Sequence, residues 1–192
     1  VAQKLYEAGK ITYMRTDSVN LSQDALEAAE LEIEKRYGKE YSERRVYTKK
    51  VKGAQEAHEA IRPSYLTESK IEGDSSLQKL YSLIWKRTIS SQMKDALLDR
   101  TTVKVAVSNR VEEFVAKGEV ITFEGFMKIY LEGRDDEVEK KQEVLPKVGI
   151  NETLFLSELI ASEQFSRPPS RYAEASLVKK LEELGIGRPS TY

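Results

Sequence analysis

The spacing of apolar residues changes near Asp99 from a helical to an alternating pattern, and this change constrains the fold most. Before it, apolar residues recur at intervals of three and four, which predicts a helix that ends at Gly38 and a longer helix over 75–98. After it, residues 103–107 alternate between valine and a polar or small residue, which is the period of a half-buried strand. The sequence therefore predicts an α+β chain whose helical part precedes an antiparallel β part.

Glycines mark several of the expected element boundaries. Gly9 ends a first short helix and is followed directly by the β-prone residues 11–13, which we expect to form a strand. Strand-like runs flank residues 117–118, where we expect a hairpin turn, and a further strand is expected over 125–131. A last amphipathic helix is predicted to end at Gly185.

Composition restricts the class of protein. The 192 residues are 40% hydrophobic and 33% charged, which is typical of a soluble, ordered protein, and no apolar run approaches the roughly 20 residues that span a bilayer. The lack of cysteine excludes disulfides, and one histidine excludes a histidine-rich metal site. A net charge of −1 argues against a strong non-specific nucleic-acid binder. We expect a cytoplasmic protein without membrane contact.

One segment near the start of the chain, residues 10–18, indicates chemistry on an anion. Alternate side chains of an extended segment share a face, so Tyr13, Arg15 and Asp17 should project together. A guanidinium favours the nucleophilic phenolate form of a neighbouring tyrosine, and it can also neutralise a phosphate under attack. The same residues would equally serve a packed strand with a surface charge, so the pattern alone leaves both interpretations open.

The single histidine lies in a second segment of interest. Residues 55–61 can form two helical turns that Pro63 ends, since proline disfavours helical geometry in the residue before it. His58, Glu59 and Arg62 would then lie on one side of this helix. A lone histidine is more often a structural residue than a catalytic one.

Three blocks resemble, in order, the motifs of the type IA DNA topoisomerases, and in particular those of the bacterial topoisomerase I branch. Residues 11–18 (ITYMRTDS) resemble the active-site signature, and residues 53–63 (GAQEAHEAIRP) resemble the histidine motif. Residues 167–178 and 185–192 (GIGRPSTY) resemble the third motif. The resemblance identifies the chain as an internal fragment of such an enzyme.

The resemblance implies a multi-domain fold and a reaction. Residues 1–99 would belong to the N-terminally truncated, tyrosine-bearing gate domain, 100–166 to a β-rich arch segment, and 167–192 to the start of a helical DNA-binding domain. Members of the family relax negatively supercoiled DNA without ATP. They cleave one strand through a 5′-phosphotyrosyl intermediate, pass another strand through the gap and religate the break.

The resemblance also implies roles for individual residues. Tyr13 would be the nucleophile, Arg15 would bind the scissile phosphate, and His58 would contact that phosphate or orient Arg15. The residues that would support this arrangement are Thr12, Thr16, Asp17, Ser18, Glu59 and Arg62. The residues that would contact the single-stranded DNA are Arg167, Arg171, Arg188, Ser190 and Thr191.

The family's metal site is expected to lie outside this chain. In the full-length enzyme the acidic residues that bind Mg²⁺ lie in a TOPRIM domain N-terminal to these motifs, so we expect no metal ligand here. The fragment would then hold half of an active site. We expect it to be monomeric and unable to cleave single-stranded or supercoiled DNA alone.

Three alternatives remain at this stage. The chain could be a non-catalytic module that binds nucleic acid or protein, in which Tyr13 is merely packed, or the equivalent piece of a topoisomerase III or a reverse gyrase. A relaxase is disfavoured because such enzymes usually need a histidine metal cluster. The exposure of Tyr13 discriminates between enzyme and module, since a nucleophile cannot be sealed in an apolar core.

Overall fold

The computed structural model describes residues 1–16, 18–47, 59–130, 145–146, 148–166 and 168–187. Its helices and strands, in chain order, are α1 (Ala2–Glu7), α2 (Gln23–Tyr37), α3 (Ser75–Ser91), β1 (Leu97–Ala106), β2 (Glu113–Phe123) and α4 (Glu174–Glu183). Short 3₁₀ turns cover Lys39–Tyr41 and Gly125–Lys128. This mixture of helices with a two-stranded sheet agrees with the predicted α+β class. No helix within these ranges is long and apolar enough to cross a membrane.

The chain divides into two compact units. The first comprises Val1–Leu97, Phe123–Glu132 and Leu181–Tyr192, and the second comprises Leu98–Thr122 and Gly133–Lys180. The predicted three-domain assignment, with boundaries after residues 99 and 166, stays a prediction. The candidate site segments around Tyr13 and Arg62 both belong to the first unit.

Helix α2 ends at Gly38, as the sequence predicts. The hydroxyl of Ser22 caps its first turn by accepting a hydrogen bond from the Ala25 amide at 3.3 Å. Gly38 ends it with φ of 105°, a backbone angle that residues other than glycine rarely adopt. Its buried face includes Ala29 and Ile33, which lie on the predicted stripe.

The core of the first unit lies where the helices meet the segment that precedes α3. Its buried residues are Leu5, Ile11, Ala29, Ile33, Tyr41, Leu66, Tyr81, Trp85, Ile89 and Met93. Two aromatic side chains of α3 also fix that segment by hydrogen bonds: the Tyr81 hydroxyl donates to the Glu68 carbonyl at 2.6 Å, and the Trp85 indole donates to the Leu66 carbonyl at 2.7 Å. Burial raises the pKa of Tyr81 to about 12. These two hydrogen bonds hold the irregular segment at Leu66 and Glu68 against α3.

Helix α3 is shorter than predicted. Asp74 caps its start by accepting from the amides of Ser76 and Leu77, but the helix ends at Ser91 instead of residue 98. Beyond it, the Lys94 amide donates to the Tyr41 carbonyl at 2.9 Å, so the backbone pairs with a distant segment in place of its own preceding turn. Beyond the helix, Met93 is buried, whereas Leu97 is 59% exposed.

The hairpin turn lies elsewhere than predicted. Strands β1 and β2 are joined through a turn at Ser108 and Asn109, in which the Arg110 amide donates to the Val107 carbonyl at 3.2 Å. Asn109 adopts φ of 62°, a conformation that asparagine tolerates. Residues 117–118 lie inside β2, so the prediction of a turn there was wrong. The observed turn permits one pair of strands of 10 and 11 residues.

Two further local predictions were also wrong. The strand expected over 125–131 begins as a 3₁₀ turn, in which the Phe126 amide donates to the Lys94 carbonyl at 2.9 Å. Of the helix expected over 55–61, residues 55–58 lie outside the described ranges, and residues 59–61 are not helical. The Ala60 amide donates instead to the carbonyl of a distant residue, Asn20, at 2.8 Å.

Candidate active site

The tyrosine segment and the end of the histidine segment pair with each other. Ile11 and Pro63 form an antiparallel bridge, and the Thr12 amide donates to the Arg62 carbonyl at 2.9 Å. The expected strand over 11–13 is therefore present only as an isolated bridge. Ile11 is buried, which fixes this pair of segments on the core. The pairing brings together two of the three sequence motifs.

The Thr12 hydroxyl reinforces this pairing. It donates to the Ala60 carbonyl at 2.7 Å and accepts from the Arg62 amide at 2.9 Å. One hydroxyl thus satisfies a donor and an acceptor of the other segment, next to the residue predicted to be the nucleophile. These contacts agree with a supporting role for Thr12, which stays a prediction.

The chain reaches Tyr13 from helix α1 through a tight helix end. Gly9 has φ of 65°, its amide donates to the Tyr6 carbonyl at 2.8 Å, and the Lys10 amide donates to the Leu5 carbonyl at 2.9 Å. This pair of bonds is the Schellman arrangement that commonly ends helices at glycine. It directs the next residues away from the axis of α1, which agrees with the predicted end at Gly9.

The ring of Tyr13 lies on the surface against helix α1. Its centroid is 5.3 Å from that of Tyr6, with the two planes inclined at 69°, which is an edge-to-face contact. Tyr13 is 38% exposed. Its ring therefore contacts Tyr6 and is not sealed in an apolar core, which is where the non-catalytic interpretation placed it.

Side chains around Tyr13 alternate in exposure as predicted. Tyr13 and Arg15 are exposed, whereas Thr12, Met14 and Thr16 are partly buried. Met14 packs against the hydrophobic core. Within the described ranges, no hydrogen bond or ion pair engages the guanidinium of Arg15. The phenol and the guanidinium, two positions apart, are thus both exposed.

The hydroxyl groups of Thr16 and Ser18 stabilise the backbone after Arg15. Thr16 Oγ1 accepts from the Ser18 amide at 3.0 Å, and Ser18 Oγ accepts from the Asn20 amide at 3.3 Å. Such local side-chain bonds stabilise turns in place of regular structure. Thr16 and Ser18 therefore support the backbone of this loop, which is compatible with the supporting role predicted for them.

Glu59 and Arg62 form an ion pair that contacts the chain at Ser22, beyond the loop that follows Tyr13. Arg62 Nε and Nη2 donate to the two carboxylate oxygens of Glu59 at 2.7 and 2.9 Å. Arg62 Nη1 donates to the Pro63 carbonyl at 2.8 Å, and the Ser22 amide donates to Glu59 at 2.8 Å. Burial alone would raise the pKa of Glu59, but the hydrogen bonds from Arg62 and Ser22 hold that pKa below its ordinary value.

An open cleft of about 610 Å³ lies beside this loop. It is lined by residues that include Thr16, Ser18, Arg45, Tyr47 and Arg87. Glu43 and Asp95 each bind Arg45 at 3.0 Å, whereas the guanidinium of Arg87 lies over the Tyr130 ring, 5.1 Å from its centroid. The sequence analysis missed Arg87, because a single arginine on a helix carries no signal without its spatial neighbours.

Several predicted site residues cannot be placed beside Tyr13. Those outside the described ranges are Asp17, His58, Arg167, Arg188, Ser190 and Thr191. Arg171 is exposed and belongs to the second unit. Their assigned roles stay predictions.

The described part of the chain does not fit a magnesium site. It contains no group of three histidine, cysteine, aspartate or glutamate side chains that could hold a metal ion. We therefore derive no chemical step through a metal held by these residues.

Comparison with known proteins identifies similar chains. The family model for DNA topoisomerase matches residues 1–192. Over the full length, the chain is 49% identical to DNA topoisomerase 1 of Rickettsia felis and 51% identical to DNA topoisomerase 1 of Streptomyces coelicolor, of which it covers 26% and 21%. It also resembles the structure of full-length topoisomerase I from Thermotoga maritima, with a TM-score of 0.68 and 35% identity over 95% of this chain and 29% of that one. The chain thus spans about a quarter of the relatives it matches.

Proposed function

Since the chain belongs to the DNA topoisomerase family, as a fragment of a type IA enzyme, we propose that it supplies the nucleophile and the phosphate-binding cation of that enzyme. The observation that carries this proposal is the exposure of both Tyr13 and Arg15, two positions apart in one segment. A surface phenol oriented by Tyr6 is accessible to a DNA backbone. The alternative of a non-catalytic module has no comparable support.

The reaction assigned to Tyr13 is a reversible exchange of phosphodiesters. Its oxygen attacks a backbone phosphorus of one DNA strand, the bond from phosphorus to the 3′ oxygen breaks, and the 5′ end becomes linked to the tyrosine. The phenol loses a proton and the departing 3′ oxygen gains one. Because one phosphodiester replaces another of similar energy, resealing needs no ATP.

Arg15 is the group that we assign to the scissile phosphate. It lies two positions from Tyr13 and is likewise exposed, and within the described ranges no carboxylate pairs with it. A planar guanidinium can donate two parallel hydrogen bonds to phosphate oxygens, and it stabilises the charge that grows on them during attack. His58 is proposed as a second phosphate contact or as the group that orients Arg15.

Single-stranded DNA is the proposed substrate at the cleavage site, within negatively supercoiled duplex DNA. The cleft beside the loop offers Arg87 and the hydroxyls of Thr16 and Ser18 to a backbone. Arg167, Arg171, Arg188, Ser190 and Thr191 remain the proposed contacts further along the strand. With a net charge of −1, the chain must bind through such local groups.

We place the remaining parts of the reaction outside this chain. Magnesium and its carboxylate ligands would belong to a TOPRIM domain elsewhere in the full-length enzyme, together with the acid that protonates the 3′ oxygen. We therefore propose that the isolated chain is monomeric and does not cleave DNA, and that the full-length enzyme acts in the cytoplasm.

Cleavage of a suicide oligonucleotide by the full-length enzyme tests the proposal. The wild type should form a covalent adduct, and Tyr13→Phe should form none while still binding single-stranded DNA. Tyr6→Phe is a matched control, because it changes the aromatic neighbour and keeps the proposed nucleophile. An adduct on the Tyr13→Phe protein would reject the proposal.

A further inference from the structure

Both ends of the loop that carries Tyr13 are fastened to one short segment, residues 59–63. At the first end, the Thr12 hydroxyl binds the Ala60 carbonyl and the Arg62 amide. At the far end, the Ala60 amide donates to the Asn20 carbonyl at 2.8 Å, and the Ser22 amide donates to a Glu59 oxygen at 2.8 Å. The nine residues between Thr12 and Ser22 are thus closed into a loop by a segment almost 40 positions away in sequence.

Glu59 accepts a hydrogen bond from the N-cap amide of α2, which in a capping box is the role of a residue in the helix itself. In a capping box, the third helical residue is glutamate or glutamine, and its side chain accepts from the amide of the N-cap residue. In α2 the N-cap is Ser22, but the third helical residue is Ala25, which is apolar and only 4% exposed. Glu59 supplies the missing acceptor from another part of the chain.

Arg62 holds that acceptor in place with two of its three hydrogen bonds. Its Nε and Nη2 bind the Glu59 carboxylate, and its Nη1 binds the Pro63 carbonyl at 2.8 Å. Both side chains of the pair are partly buried. Three of the five N–H groups of the guanidinium are thus engaged, and the side chain is only 16% exposed, so Arg62 has little surface to offer a phosphate.

We propose that Glu59 is a positioning residue for Tyr13, and that Arg62 orients Glu59 and does not bind DNA. Glu59 fixes the far end of the loop at Ser22, while the Thr12 contacts fix its near end. The inference rests on the proposed nucleophilic role of Tyr13. Displacement of a reacting group by about 1 Å can lower a rate by roughly 100-fold without loss of binding, so the closure should affect cleavage more than affinity.

The test uses the full-length enzyme with Glu59→Ala, Glu59→Gln, Arg62→Gln and the double variant Glu59→Ala/Arg62→Gln. Single-turnover adduct formation, the Kd for single-stranded DNA at several salt concentrations and the Tm are measured for each. We expect Glu59→Ala to slow adduct formation about 10- to 100-fold while the Kd stays within about twofold. Glu59→Gln keeps one acceptor for Ser22 and should lie between Glu59→Ala and the wild type.

The double variant and the salt dependence test the role of Arg62. If Arg62 acts through Glu59, the double variant should be no slower than Glu59→Ala alone. Arg62→Gln should leave the slope of log K against log salt unchanged. A slope reduced by about 0.7, together with weaker binding, would identify Arg62 as a phosphate contact and overturn its assignment.

A carboxylate on α2 itself separates positioning by Glu59 from a general loss of stability. Glu32 is 4% exposed and binds Arg36, and it lies ten residues beyond Ser22, about 15 Å along the helix. Glu32→Ala should lower the Tm and leave the adduct rate unchanged at a temperature where it is folded. An equal loss of rate in Glu32→Ala and Glu59→Ala would reject positioning. Loss of the proposed function itself would appear differently, as an adduct that persists in Tyr13→Phe.

Discussion

The hydroxyl of Thr12 lies 2.7 Å from the carbonyl oxygen of Ala60, a residue 48 positions later in the chain. The same hydroxyl accepts from the Arg62 amide. This contact joins the segment of the proposed nucleophile to the segment that follows the single histidine. The position of Tyr13 therefore depends on residues that sequence proximity does not reveal.

Replacement of Thr12 by valine should destabilise the protein. Valine preserves the shape of the side chain but leaves the Ala60 carbonyl and the Arg62 amide without their partner, which should cost about 1–3 kcal/mol of the free energy of unfolding. Urea denaturation measures the change. Thr12→Ser keeps the hydroxyl and should retain most of the stability, and an equal loss in both variants would contradict this account.

Replacement of Arg15 by glutamine should remove transition-state stabilisation and leave the fold intact. The rate of adduct formation in the full-length enzyme should fall about 100- to 1,000-fold, as when one preorganised donor is removed from an oxyanion site. The Tm should not change, because the side chain is exposed. Lys4→Gln removes an exposed positive charge from α1 and serves as the control. A rate unchanged in Arg15→Gln would exclude Arg15 from the phosphate site.

The stabilising effect of Glu59 should depend on pH in a defined direction. Hydrogen bonds from Arg62 and Ser22 hold its pKa in the folded protein below the ordinary value of 4.5, so the ionised form favours folding. This contribution is fully present above about pH 4.5 and is lost as the pH falls through the folded pKa. The difference in free energy of unfolding between the wild type and Glu59→Gln should accordingly shrink as the pH falls from about 5 to about 3. A difference that stays constant over this range would contradict the ion pair.

Gly125 should not tolerate a side chain. It adopts φ of +49°, and a Cβ there would lie 2.5 Å from the Asp95 carbonyl oxygen, which is backbone and cannot move aside. Gly125→Ala should therefore lower the free energy of unfolding by about 1–3 kcal/mol. In Gly149→Ala the added Cβ would lie 3.4 Å from the Glu152 side chain, so little change is expected. Equal effects at the two positions would refute the steric argument.

Local signals in the sequence predicted local structure well. The helix ends at Gly9 and Gly38 depend on interactions within one turn of a helix, and both are present. The alternating exposure of residues 12–16 was also predicted, although the backbone bends at Thr12, Met14 and Arg15 instead of remaining extended. Such features can be deduced from a few neighbouring residues.

Predictions failed where distant segments compete for the same backbone groups. Helix α3 ends early because the Lys94 amide pairs with the Tyr41 carbonyl, and the turn lies at Ser108 because a longer strand pair forms there. The closure of the Tyr13 loop by Glu59 depends on Ser22 in the same manner. No local pattern encodes these pairings, so they emerge only from the folded chain.

The central claim is that the Tyr13 oxygen forms the covalent bond to DNA. The most direct measurement traps the adduct of the full-length enzyme on a suicide oligonucleotide, digests the protein and DNA, and locates the nucleotide-bearing peptide by mass spectrometry. We predict a single modified peptide with the nucleotide phosphate on Tyr13. Modification of any of the other nine tyrosines in its place, such as Tyr6 or Tyr47, would contradict the claim.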